Sequence, residues 1–304
     1  MSTAAPLLRA LRPQQWIKNL FVLAALVFAR GEHGGSLFAW GDDARRTLLA
    51  FLAFCLGSSA IYLVNDVLDV EQDRQHPEKK LRPIAAGQLS AGLALFWAGA
   101  LLVSAVALAL AAEGQPQPVA WILGAYLVLN LLYSWRLKHV VLVDAFCIAA
   151  GFLLRVQAGG AAAGAAVSHW LLLCTFFLAL FLALSKRRGE ISNFGAAGRA
   201  SLREVPLALV ESLEGVTLGI TIVCYALYTV SAETVAWFRT DGLLATVPVV
   251  VFGLFRWRLL ETRGKGEDTA SDLLTDPGLL LTVLVWALAC AAVIYLAPGG
   301  AAAR

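Results

Sequence analysis

Apolar residues run along this chain in long, nearly unbroken stretches, not at the three-to-four spacing of a helix that faces water on one side. Nine runs stand out, near 19–37, 47–64, 89–112, 118–134, 140–160, 168–185, 207–232, 241–257 and 278–297. Most approach the roughly 20 residues that an α-helix needs to cross the ~30 Å apolar core of a lipid bilayer. Backbone amides inside hydrocarbon must find their partners within the same segment, so the pattern predicts helices and not sheets. The expected fold is all-α: a polytopic membrane protein, a bundle of nine transmembrane helices, read as one integral membrane domain over 1–304. Its links on one face would be 65–88, 135–139, 186–206 and 256–277.

Composition fits lipid as the solvent, since 59% of the 304 residues are hydrophobic and 15% are charged, well away from the usual globular balance. No run of sequence is left for a soluble domain, and no nucleic-acid partner is expected. Arg9, Arg12 and Lys18 precede the first run and no small-residue cleavage site clearly follows it, so that run reads as a retained helix and not a signal peptide. The five cysteines stand singly inside apolar runs, without metal or redox spacing, and read as inert buried thiols.

The distribution of charge then orients the bundle. If nine helices alternate across the membrane, the N-terminus and the four links named above fall on one side and hold eighteen of the 24 Lys and Arg residues. The positive-inside rule makes that side cytoplasmic, in a bacterial cell the inner face of the plasma membrane. Any chemistry must come from helix ends and these links.

One link is distinctive. Asp66, Asp69 and Asp73 stand at i, i+3 and i+7, on one helix face, with Asn65 adjoining Asp69 at i+4. Three carboxylates so close repel one another unless a cation sits among them, and hard divalent ions such as Mg²⁺ take carboxylate and phosphate oxygens together. A solvated acidic helix end is the plain alternative, since Glu71 and Glu78 are near. Against it, the carboxylates begin where the apolar run ends, and ionisable groups at membrane depth are costly and usually functional. Arg74, Lys80 and Arg82 follow at once and would supply anion ligands beside the metal. Metal plus cations suits a diphosphate.

These residues carry a resemblance. The NDxxDxxxD segment, Arg-Pro-Ile-Ala-Ala-Gly at 82–87 and the nine runs make the chain similar to the UbiA superfamily of intramembrane prenyltransferases. Further motifs resemble its decaprenyl-phosphate phosphoribosyltransferase branch. They are Arg12-Pro-Gln-Gln-Trp-Ile-Lys-Asn19, the segment 73–80, Tyr133-Ser134 with Leu137-Lys138, Gly151-Phe-Leu-Leu-Arg155, and Ser185-Lys-Arg-Arg-Gly-Glu190. The resemblance implies a Mg²⁺-dependent pentosyltransferase for cell-wall precursor synthesis. Phosphoribosyl diphosphate (PRPP) would be the donor, and a polyprenyl phosphate of the decaprenyl kind the acceptor.

The resemblance also shows a departure. Aromatic prenyltransferases of the superfamily carry a second aspartate-rich motif after the sixth span, where this chain has Lys186, Arg187 and Arg188. Such a cluster can be a topology signal or an anionic-lipid contact, but at this place it suggests cations holding substrate phosphate directly. The acidic segment then becomes one half of a divided site. Lys18, Tyr62, Tyr133, Lys138, Asp144 and Arg155 complete the candidate substrate ligands. Asp144 and Arg155, eleven residues apart, share a helix face and have structural pairing as their alternative role. Asp272 and Asp276 read as a late acidic site or as a helix start before Pro277.

Two other functions compete: a prenyl diphosphate donor with an aromatic or small acceptor on the same fold, and a lipid-phosphate transporter. The basic residues at 186–188 argue against the first. The three-carboxylate face argues against the second. The Gly- and Ala-rich stretch 157–166 suits packing within one chain or between copies, which leaves a homo-oligomer open.

Overall fold

The computed structural model describes residues 4–28, 41–112, 118–194, 205–265 and 269–296. Every regular element among them is helical. Helix α1 (Ala4–Leu11) is followed by Arg12, a 3-10 turn over Pro13–Asn19 and α2 (Leu20–Phe28). Then come α3 (Asp42–Leu68), α4 (Val70–Gln75), α5 (Ala91–Ala111), α6 (Val119–Trp135), α7 (Val143–Ala163), α8 (His169–Phe194), α9 (Leu207–Val230), α10 (Ala232–Phe238), α11 (Val247–Glu261), α12 (Thr269–Thr275) and α13 (Pro277–Leu296).

Seven of these helical segments are long and apolar enough to cross a membrane, and each coincides with one of the nine runs. The run at 118–134 appears as the shorter α6, 17 residues long. The run at 19–37 appears as α2 as far as Phe28, and its remainder lies outside the described residues. The protein is thus an all-α, multi-pass membrane protein.

The helices do not stop where the apolar runs stop. Asn65 and Asp66 lie inside α3 and not in a link that begins at 65; residues 185–190 lie inside α8, and Arg256, Arg258 and Glu261 inside α11. Hydropathy marks where hydrocarbon ends, whereas a helix ends where backbone bonding is interrupted, and Lys, Arg and Glu are good helix formers. Several of the candidate side chains, Asp66 and 186–188 among them, consequently stand on helices.

Among the described residues the chain forms two compact units. One comprises 4–28, 41–112, 118–136 and 154–166; the other comprises 137–153, 167–194, 205–265 and 269–296. In the first, α3 is the spine. Its Ala50, Ala53 and Phe54 pack with Ala105 of α5, with Leu123 and Tyr126 of α6 and with Ala158 of α7. Small side chains let the helix backbones approach, the usual device where lipid supplies no hydrophobic drive between helices. Gly57 marks such an approach: a Cβ there would lie 3.4 Å from both Leu123 and Leu127. A second cluster joins Ala10 of α1, Ala60 and Leu63 of α3, Ile84, Leu89, and Ala94 and Ala98 of α5. It anchors the loop after α4 against the end of α3.

In the second unit, Phe181 of α8 packs with Leu254, Trp257 and Leu260 of α11 and with Leu279 of α13. Arg256 donates from Nε and Nη2 to the two oxygens of Asp276, at 2.8 and 2.9 Å. Its guanidinium lies over Gly278, where a Cβ would press on Arg256 Nε and Cζ, so a larger residue there would displace this side chain. Asp276 also accepts the Leu279 N–H at 2.8 Å, which makes it the cap of α13 and supports the helix-start reading of this residue.

The Arg256 hydrogen bonds, helped by the Leu279 amide, push the Asp276 carboxyl down to about 2. Its ionised form is favoured by folding, so the stabilisation is complete above the ordinary carboxyl range and is lost as pH falls through about 2. Asp276 is therefore expected to stay ionised at about pH 3.5, a little below the usual aspartate value. Isotope-edited infrared spectra of the carboxyl stretch read this directly, and a protonated Asp276 band at that pH would contradict it.

Candidate active site

The acidic segment forms because α3 continues beyond its apolar run. Asp66 is 2% exposed and Asp73 is 3% exposed, and a carboxylate so buried requires a cationic partner. Two are present. Asp66 Oδ1 accepts from Arg12 Nη2 at 2.5 Å and from Arg82 Nη1 at 3.1 Å. The same Arg82 nitrogen donates to Asp73 Oδ2 at 2.6 Å, so one guanidinium ties the first and last aspartates together. Arg12 also lies over the ring of Tyr62, 5.0 Å from its centroid, a cation–π contact.

Arg12 reaches Asp66 at a cost. Its backbone is left-handed, with φ of 53° and ψ of 57°, a conformation that costs an L-residue about 1–2 kcal/mol. Pro13 follows, and the chain turns there from α1 into the 3-10 segment.

Asp69 plays a different part. It is the single residue between α3 and α4: its amide bonds Asn65 O at 2.9 Å, and its own carbonyl accepts the Asp73 amide at 2.8 Å. Helical bonding thus passes through the junction. Among the described residues, no group of three or more His, Cys, Asp or Glu side chains converges as a metal cluster, because Arg82 stands between Asp66 and Asp73.

The donor set nevertheless fits a hard cation. Asp66 Oδ2 and Asn65 Oδ1 are both buried with no hydrogen-bond partner among the described residues, and such orphaned oxygens need an explanation. Magnesium takes one or two carboxylates and completes its shell with water and substrate phosphate, so an unsatisfied carboxylate oxygen on Asp66 suits it.

Tyr62, Asp66, Asp73 and Arg82 are therefore brought together through Arg12 and Arg82, while Asn65 and Asp69 adjoin them along the chain. Lys18 is half-buried in the 3-10 turn. Arg74 is turned to Glu71 at 2.8 Å and to the Ala85 carbonyl at 3.4 Å, and Lys80 is exposed. Tyr133 is half-buried on α6. Arg155 is 6% exposed and donates to Asn19 Oδ1 at 2.7 Å and to the Tyr126 hydroxyl at 2.8 Å. Arg12, Asn19 and Tyr126 are the residues that the sequence reading left out of the site. Arg12 and Asn19 end the quoted motif at 12–19, whereas Tyr126 has no signal in its own neighbourhood.

The second unit holds the remaining candidates. Arg187 is 2% exposed; its Nε lies 2.6 Å from Asp144 Oδ2 and its Nη1 2.5 Å from Glu190. Asp144 thus pairs with a cation of α8, the structural role that the sequence left as an alternative. Arg188 donates to Glu211 at 3.1 Å. Nearby, Arg258 donates to both Glu214 and Glu261, at 2.5 and 2.9 Å. Glu261 further accepts from Ser185, and from Trp257 Nε1 at 3.0 Å. Lys138 is buried in a 3-10 turn over Leu137–His139. Arg187 and Arg188 thus have carboxylate partners, which the run of basic letters at 186–188 did not disclose.

The profile described as the UbiA prenyltransferase family matches residues 19–274. The chain belongs to this family. A decaprenyl-phosphate phosphoribosyltransferase of Corynebacterium glutamicum is 35% identical, covering 96% of this chain and 87% of that protein. Another of the same description, from Mycolicibacterium smegmatis, is 33% identical over 95% of this chain and 92% of its own. Among solved structures, a UbiA homolog from Archaeoglobus fulgidus bound to GPP and Mg²⁺ superposes with a TM-score of 0.66. It covers 95% of this chain and 99% of its own at 22% identity, a likeness of fold.

Removing the Arg187 side chain would leave Asp144 and Glu190 facing one another in a buried place. Arg187→Ala is expected to cost about 3–5 kcal/mol of stability, the usual penalty for one orphaned member of a buried ion pair. Thermal unfolding in detergent should show a large loss, and Arg187→Ala combined with Asp144→Ala should recover part of it. An unchanged midpoint for the single variant would refute the pairing.

Proposed function

We propose that this protein transfers 5-phosphoribose from PRPP to a polyprenyl phosphate of the decaprenyl type, releasing diphosphate and forming polyprenylphosphoryl-5-phosphoribose. The observation that carries the proposal is the buried Asp66. One oxygen is held by two arginines and the other is unsatisfied, in a chain similar over nearly its whole length to decaprenyl-phosphate phosphoribosyltransferases.

Asp66 with Asn65, and Asp69 and Asp73 beside them, would hold Mg²⁺. When bound, the ion supplies charge neutralisation for the departing diphosphate. The chain's own residues do the rest. Arg12 and Arg82, held beside the aspartates, would donate their remaining N–H groups to phosphate oxygens, for which a guanidinium fork is well shaped. The bond from ribose C1 to the diphosphate oxygen breaks and a bond from C1 to an acceptor phosphate oxygen forms. That oxygen is already anionic, so no strong general base is required, and positioning with electrostatics carries most of the rate. The excess of Lys and Arg in the links of one side supports a cytoplasmic site at a bacterial plasma membrane. Lys186 is assigned to substrate phosphate.

Purified protein in liposomes, given PRPP, Mg²⁺ and decaprenyl phosphate, should release diphosphate and yield a lipid-linked phosphoribose by mass spectrometry. Consumption of a prenyl diphosphate with an aromatic acceptor instead would overturn the assignment. Asp66→Ala is expected to lower kcat/KM by about 100-fold or more, about 2.7 kcal/mol. Turnover at full rate in that variant would remove the metal site. Lys186→Ala should raise the KM for a phosphorylated substrate without altering the dependence on Mg²⁺.

A further inference from the structure

Arg12 is presented to Asp66 by a segment with little stability of its own. The turn Pro13–Asn19 is a 3-10 helix of seven residues, longer than such turns usually persist, and it begins at a strained residue. It must be held from outside.

The holding groups are visible on α3 and α7. Trp16 Nε1 donates to Ser59 Oγ at 3.0 Å, and that hydroxyl donates to the Leu11 carbonyl at 2.9 Å. At the far end of the turn, Asn19 is fully buried. Its Nδ2 donates to Ser58 Oγ and Cys55 Sγ, each at 3.3 Å. Its Oδ1 accepts from Arg155 Nε at 2.7 Å. Arg155 is itself fixed by the Tyr126 hydroxyl at 2.8 Å and by the Tyr126 ring, 4.7 Å from its Cζ. A guanidinium held by hydroxyl and ring at once has little rotational freedom left, which makes it a firm anchor for an amide oxygen.

We infer that Arg155 is a positioning residue: through Asn19 it fixes the 3-10 turn that delivers Arg12 to Asp66. The inference rests on the proposed role of the Asp66 site and extends it, because Arg155 then serves the donor diphosphate without touching it. Tyr126 shares in this role as the group that fixes the guanidinium.

Two measurements test it. In the transfer assay, Arg155→Lys keeps the charge but loses the fork. It should lower kcat/KM for PRPP by about tenfold in the otherwise native protein, mostly through KM, and by less than about twofold when Arg12→Ala is already present. Penalties that simply multiply in the double variant would show that Arg155 acts independently of Arg12, and would overturn the inference. Tyr126→Phe, which keeps the ring and removes one acceptor, should show the same coupling more weakly, and it serves where an Arg155 variant fails to fold.

Hydrogen exchange on protein without substrate is the second. Amides of residues 14–20 should exchange faster in Arg155→Lys, with those of α5 unchanged. Unaltered protection at 14–20 would also overturn the inference. Because exchange needs no substrate, its outcome stands even if wild-type protein fails to release diphosphate from PRPP, the result that would defeat the proposed function alone.

Discussion

A carboxylate at the end of a membrane-crossing helix is the constraint around which the first unit is arranged. Asp66 is almost fully buried, and an unpaired charge there would cost far more than the helix gains by extending to it. Arg12 comes from the segment before the first apolar run and Arg82 from the loop after α4, so the two chain segments that flank the site are fixed by one oxygen. The other carboxylate oxygen keeps its capacity for a ligand.

Helix α3 makes the arrangement possible. Most of it packs by small residues, but Cys55, Ser58, Ser59, Tyr62 and Asp66 recur every one to four positions along one side and take the polar groups of the N-terminal segment. Asn19 and Trp16 bond to this strip, Leu11 offers it a carbonyl, and Arg12 closes over Tyr62. In lipid such a strip must be covered by protein. A left-handed Arg12 persists because these contacts over-determine its place.

The second unit handles positive charge in a related way. Its Arg187, Arg188 and Arg258 are met by Asp144, Glu190, Glu211, Glu214 and Glu261, so the basic end of α8 is part of an ion-pair network with defined positions. Arginine suits this, since its planar fork engages two carboxylates at once. Of the 186–188 cluster, Arg187 is the most deeply buried, and Lys186 and Arg188 are partly buried.

Sequence alone determined the class of the fold, because hydrocarbon solvent forces long apolar runs to be helices and each run is a local property. It marked out the acidic segment, but not as one continuous helix face, because α3 ends at Leu68 and Asp69 stands between it and α4. It placed helix ends too early, because loss of hydrophobicity at Asn65 or Ser185 does not interrupt backbone bonding. Only the tertiary structure decided what neutralises the charges. Arg12 meets Asp66 across 54 positions and Arg155 meets Asn19 across 136, and no periodicity spans such distances. A buried charge must be paired, and the sequence states that requirement; which residue pairs with it is settled only by helices packing side by side.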